Sequence, residues 1–225
     1  MCNFTKTGVL IAITMVPDVN RLPILNGLVL IGGRSRRMGS PKEKIRWHGK
    51  EQRFYLADLL QNYCENVYIS CRPEQVNEIT ANDENTSSYA WLCDRYVDIG
   101  PMGGILTAFE FQPERAWLVI ACDLPMLGAE AVNHLIQKRD PRKIATAFKS
   151  PGDNFPEPLF AIWEPHSLSI LQQMFAQNKL SPRHVLVQHH ALCIQAPDVQ
   201  TLTNVNTPTE ATLAKSMITG KGQGR

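Results

Sequence analysis

The densest chemical signal lies in Leu30-Ile31-Gly32-Gly33-Arg34-Ser35-Arg36-Arg37-Met38-Gly39-Ser40-Pro41-Lys42. The apolar run Ile24 to Ile31 leads into it, and three arginines and a lysine follow the first glycines. Glycines let backbone N–H groups approach an anion closely, and lysine adds a compact positive charge, so this composition suits a phosphate. The stretch is not a Walker A loop, which needs Lys and then Ser or Thr directly after its last glycine, and it is not G-x-G-x-x-G. A plain surface turn is the alternative. A second chemical position is Asp123, which closes the apolar stretch Trp117 to Cys122. A carboxylate at a strand end can hold Mg2+ together with nucleotide phosphates. Capping the turn that follows is its other common use.

These residues need a scaffold, and the hydrophobic pattern supplies one. Strands are expected at Ile24 to Ile31, Val67 to Ser70, Trp91 to Cys93, Trp117 to Cys122, Ile144 to Phe148 and Pro158 to Trp163. Helical spacing falls at Glu51 to Tyr63, at the helix launched by Gly100-Pro101, at Ala129 to Lys138 and at Ser167 to Gln177. Alternating strands and helices predict an α/β domain with a mostly parallel central sheet and helices on both faces. Ligands of such sheets gather outside the carboxyl ends of the strands, where the glycine loop and Asp123 both fall. One domain is expected over residues 24–217, with an N-terminal arm at 1–23 and a flexible tail at 218–225.

Composition narrows the partners. The chain has 225 residues, 44% hydrophobic and 20% charged, with a net charge of +2, which excludes a disordered or fibrous class. That total hides an asymmetry: residues 34–50 carry seven basic side chains and one acid, so the rest of the chain nets −4. The basic residues stand where the first strand ends, the place for a polyanionic ligand. The six cysteines lack any C-x-x-C pair and read as reduced thiols of a cytoplasmic protein. The apolar run Gly8 to Val16 is too short to span a membrane, and no membrane partner is expected. Trp47 amid Lys44, Arg46 and His48 raises the idea of a nucleic-acid patch, but no RNA-binding motif accompanies it. His189-His190 has no metal-ligand spacing and reads as surface.

The string LIGGRSRRMGSPK resembles the L-x-G-G-x-S-x-R-M-G-x-x-K signature of the molybdenum cofactor guanylyltransferases, within the nucleotidyltransferase superfamily. Three more segments agree in order. Asp94 to Gly104 resembles the family's Asp followed by G-P-L-A-G, Trp117 to Pro125 its strand ending in C-D-x-P, and Asn204-Val205-Asn206-Thr207-Pro208 its N-x-N-T-P. The resemblance implies a three-layer, Rossmann-like nucleotidyltransferase fold. It implies that Lys42 and Arg37 contact phosphates and that Asp123 holds Mg2+. It also implies that Leu30, Ile31, Gly32, Gly33, Ser70, Asp94, Gly100, Asn204 and Asn206 line the nucleotide site. Lys44, Arg34 and Arg36 are read as surface charges, and Asp98 is a weaker candidate than Asp94 for holding the nucleotide.

The chemistry implied is attack by the terminal phosphate of molybdopterin on the α-phosphorus of GTP, with pyrophosphate leaving. The partners are then GTP, molybdopterin or its molybdenum form, and molybdoenzyme-specific chaperones, acting on a monomer or weak homo-oligomer. The nucleophile is already anionic near neutral pH, so no strong base is required and charge repulsion is the main obstacle. LIGG and GPMGG resemble the guanylyl rather than the cytidylyl pattern. Departures remain: Pro41 stands where the family often has Asp, Ser70 where it often has Asn, and Pro156-Glu157-Pro158 occupies the region expected near the pterin. The alternatives are a cytidylyl or sugar-phosphate nucleotidyltransferase, and a nucleotide-binding protein without catalysis.

Overall fold

A computed structural model describes residues 22–31, 41–76 and 88–222. Seven strands form one sheet: β1 (Leu25–Leu30), β2 (Val67–Cys71), β3 (Ala90–Cys93), β4 (Ala116–Ala121), β5 (Ala145–Lys149), β6 (Pro156–Trp163) and β7 (Leu192–Ile194). Their order is β3-β2-β1-β4-β6-β5-β7. All run parallel except β6, which is antiparallel to both β4 and β5. Helices lying wholly within the described residues are α1 (Gln52–Gln61), α2 (Pro101–Phe111), α3 (Ala129–Gln137), α4 (Ser167–Ala176), α5 (Pro182–Gln188) and α6 (Pro208–Gly222).

The central strands β1 and β4 are buried along their whole length. Side chains alternate across a strand, so one strand feeds two cores. Leu25 and Val29 of β1, with Leu118 and Ile120 of β4, pack with Leu56 and Leu60 of α1 and Val132 and Leu135 of α3. Leu28 and Leu30, with Trp117 and Val119, pack on the other face with Ile105 and Phe109 of α2 and Leu171 of α4. This is the three-layer α/β arrangement expected from the sequence, with Trp117 and Trp163 fully buried and Trp91 only half-buried. Among the described residues no helix is long and apolar enough to cross a membrane.

Three elements lay outside the pattern reading. Helix α5 is short, entered through Ser181, whose side chain accepts from the His184 N–H at 3.3 Å, and Pro182. Strand β7 has only three half-buried residues at a sheet edge. Helix α6 begins at Thr207-Pro208 with a reciprocal cap: Glu210 N–H donates to Thr207 Oγ1 at 3.3 Å, and Asn206 and Thr207 N–H donate to Glu210 Oε2 at 2.6 and 3.1 Å. The helix runs to Gly222, past residue 217 where the domain was expected to give way to a flexible tail. Residues 1–21 of the expected N-terminal arm (1–23) lie outside the described residues, as do 32–40, 77–87 and 223–225.

Candidate active site

Register brings the site residues level. Leu30 of β1 pairs with Ser70 of β2 on one side and Ala121 of β4 on the other. Three parallel strands therefore end at the same height, and the segments leaving them share one rim. Ile31 is buried at that rim. Gly32, Gly33 and Arg37 lie outside the described residues, along with Arg34 and Arg36.

The chain is described again from Pro41, and Lys42 opens a short turn over Lys42–Lys44. Lys42 Nζ donates to Asn206 Oδ1 at 2.5 Å, across 164 positions of sequence. Val205 N–H donates to the Asp123 carbonyl at 2.9 Å, which ties the segment carrying Asn204 and Asn206 to the end of β4. Lys42, Asn206 and Asp123 thus meet at one place. Burial pushes the Asp123 carboxyl up, and the nearby Lys42 ammonium pulls it back. Asn204 is exposed on the same segment.

The turn after Asp123 is held from α1 and the segment before it. Gln52 Nε2 donates to the Leu124 carbonyl at 3.1 Å, His48 Nε2 lies 2.8 Å from the Pro125 carbonyl, and Tyr55 O–H donates to the Leu127 carbonyl at 3.3 Å. His48 stacks on Tyr55 with ring centroids 3.9 Å apart. Gly49, at φ 76°, permits the reversal that brings His48 back onto this turn. Trp47 packs with Ile45 against Val205 and Ala214. That packing gives Trp47 a structural task in seating α6.

A second cluster sits at the ends of β2 and β3. Ser70 Oγ donates to Asp94 Oδ1 at 2.5 Å, and Asp94 N–H donates to the Cys71 carbonyl at 2.8 Å. Burial lifts the Asp94 carboxyl to about 6, against the Ser70 hydrogen bond and the Arg72 charge, which lower it. The Ser70 hydroxyl gives its hydrogen to Asp94 and keeps its oxygen lone pairs as acceptors. Gly100-Pro101-Met102-Gly103-Gly104 has a local reason for each small residue. Gly100 sits at φ 66°, ψ −151°, and Pro101 opens α2. A Cβ on Gly103 would lie 2.6 Å from the Tyr96 carbonyl oxygen, and one on Gly104 would lie 2.6 Å from Leu30 Cδ2 and 2.9 Å from Ser70 Oγ. The helix start therefore presses directly against the Ser70–Asp94 pair.

Lys44 and Asp98 are exposed. Sequence reasoning passed over Glu43, which is buried beside Lys42 with its carboxyl pushed up by burial and pulled down by its own backbone hydrogen bond and the Arg53 charge. It also passed over Arg183, which donates to Glu157 Oε1 and Asp153 Oδ2, each at 2.9 Å. The five described cysteines are free thiols. Burial pushes Cys64 and Cys71 up to about 12, which leaves them poor nucleophiles near neutral pH.

A level rim of parallel strand ends, a lysine reached by a C-terminal asparagine and two strand-end carboxylates make the architecture of a nucleotidyltransferase. The chain belongs to the MobA-like NTP transferase domain family, whose model matches residues 27–192. It is 35% identical over 191 residues to a molybdenum cofactor biosynthesis bifunctional protein from Synechocystis, covering 85% of this chain and 53% of that one, so it spans about half that relative's length. It is 29% identical over 198 residues to a molybdenum cofactor guanylyltransferase from Pseudomonas paraeruginosa, covering 86% of this chain and 95% of the relative. The solved structure of molybdopterin-guanine dinucleotide biosynthesis protein A from Archaeoglobus fulgidus superposes with a TM-score of 0.68 at 20% identity, over 87% of this chain and 99% of that one.

Proposed function

We propose that this protein transfers GMP from GTP to the terminal phosphate of molybdopterin or its molybdenum form and releases pyrophosphate, completing a guanine dinucleotide cofactor. The observation that carries this reading is the Lys42–Asn206 bond beside Asp123, which joins the last residue of the signature motif to the N-x-N-T-P segment. Three of the four ordered motifs meet there, and the fourth, GPMGG, packs on Ser70 and Asp94 along the same rim. The names of the relatives support the same substrates.

Asp123 offers a hard oxygen ligand whose charge burial disfavours, so a divalent cation beside it relieves the cost of ionising it. These residues fit Mg2+, with Asp123 as its ligand. When bound, the ion would neutralise phosphate charge in the displacement. Lys42, oriented by Asn206, puts a fixed positive charge where phosphate charge develops. Gly32, Gly33 and Arg37 would add backbone N–H groups and a guanidinium on the grounds of the signature alone. Asp94, shaped by Ser70 and Gly104, holds the nucleoside end, together with Leu30, Ile31, Gly100 and Asn204. The acceptor phosphate arrives ionised, so the side chains need only align it and offset repulsion. We place the protein in the cytoplasm, as a monomer or weak homo-oligomer that passes product to molybdoenzyme-specific chaperones. The test is Asp123→Ala with Mg2+ present and absent: turnover should vanish while the cooperative melt persists. Undiminished Mg2+-dependent turnover would remove Asp123 from the site.

A further inference from the structure

The acidic side of the rim has no task in handling a triphosphate. Sheet order puts β6 beside β4 on the side away from β1, β2 and β3, so the nucleoside cluster at Ser70 and Asp94 lies on one side of Asp123 and the start of β6 on the other. The antiparallel pairing of Ile120 with Phe160 and Val119 with Ala161 brings the beginning of β6 next to the end of β4. Glu157 stands there, within electrostatic reach of Asp123. Its carboxylate is held in place: Arg183 Nη2 donates to Oε1 at 2.9 Å, and Ser150 makes a further hydrogen bond to it. Glu157 is 15% exposed, whereas Arg183 and Asp153 are 38% and 44% exposed. Arg183 is shared with Asp153, so one positive charge faces two carboxylates there, with Asp123 nearby.

A fixed, largely shielded carboxylate repels every phosphate of a nucleotidyl transfer. Beyond its pairing with Arg183 and Ser150, it suits a part of the acceptor that presents donors. Ionised carboxylates accept and never donate, and they pair best with two adjacent N–H groups. The 2-amino-4-oxo edge of a pterin offers that pair, from the ring N–H and the exocyclic amine.

We propose that Glu157 is the acceptor-side specificity residue, receiving the donor edge of the pterin while Arg183 and Ser150 hold its carboxylate in position. This rests on the guanylyl transfer proposed above and assigns the acceptor to the β5–β6 side of Asp123.

The test uses fluorescent 6-hydroxymethylpterin as a probe and its lumazine counterpart, which carries oxygen in place of the 2-amino group. Wild-type protein should bind the pterin at least about tenfold more tightly, the size of one charge-assisted hydrogen bond. Glu157→Gln should lose that preference, raise the KM for molybdopterin at least about tenfold and leave the KM for GTP within twofold. Equal binding of pterin and lumazine by wild-type protein would overturn the proposal with no variant needed, and so would an undiminished preference in Glu157→Gln. Absence of pyrophosphate release from GTP and molybdopterin in the wild type would instead refute the guanylyl transfer itself.

Discussion

Asp94→Asn should make the protein more stable while impairing it. Burial lifts the Asp94 carboxyl from 3.8 to about 6, with Ser70 donating to it and Arg72 nearby both working the other way. In the unfolded chain the same group titrates near 3.8. Between these values the native state keeps a proton that the unfolded state has released, so stability falls as pH rises through the window from about 4 to about 6 and is then level. At roughly 1.4 kcal/mol for each tenfold change in proton affinity, that interval is worth at most about 3 kcal/mol above pH 6. Asparagine keeps the shape and an oxygen for the Ser70 hydroxyl while removing the charge. Urea denaturation from pH 4 to pH 8 should show the variant gaining on the wild type through that window, by up to about 3 kcal/mol at pH 7. Near pH 4 the two should coincide, and the KM for GTP should rise in the variant. A stability difference independent of pH, or an asparagine variant weaker at pH 7, would refute the buried-charge argument.

Other sites give sharper structural tests. Gly104→Ala forces a Cβ to within 2.6 Å of Leu30 Cδ2 and 2.9 Å of Ser70 Oγ, and should cost about 1–3 kcal/mol in chemical denaturation while raising the KM for GTP. Glu164 is fully buried and takes two hydrogen bonds from Arg139, at 2.6 and 2.9 Å, so Glu164→Ala should destabilise by about 3 kcal/mol or more without a selective effect on KM. Lys42→Gln keeps a donor for Asn206 but loses the charge; kcat should fall by about a hundredfold or more with an unchanged melting temperature.

Much of this arrangement was legible in the sequence because the site is built on the most regular part of the fold. Leu25–Leu30 and Ala116–Ala121 are uninterrupted buried strands, so their ends, and the candidate site residues Leu30, Ile31 and Asp123, could be placed closely. GPMGG was legible as a motif, but its reason lies in close approaches to Tyr96, Leu30 and Ser70 that no local pattern encodes. The C-terminal third was harder. Helix α5 and strand β7 are too short for periodicity to register, and α6 is largely polar, so only its Thr207-Pro208 entry signals a helix. The antiparallel placement of β6 beside β4 is a tertiary choice, and with it Glu157 comes within electrostatic reach of Asp123. Pro156-Glu157-Pro158 could be assigned to the pterin region only through resemblance. Arg183 has no sequence signal that links it to Asp153 and Glu157, which precede it by 30 and 26 positions.

Pyrophosphate release, measured with purified protein, Mg2+ and molybdopterin against GTP, CTP, ATP and UTP in turn, tests the central claim most directly. Release from GTP should require molybdopterin and greatly exceed release from the other three. Equal turnover of CTP would contradict the guanine assignment, and no release from GTP would contradict the transfer reaction itself.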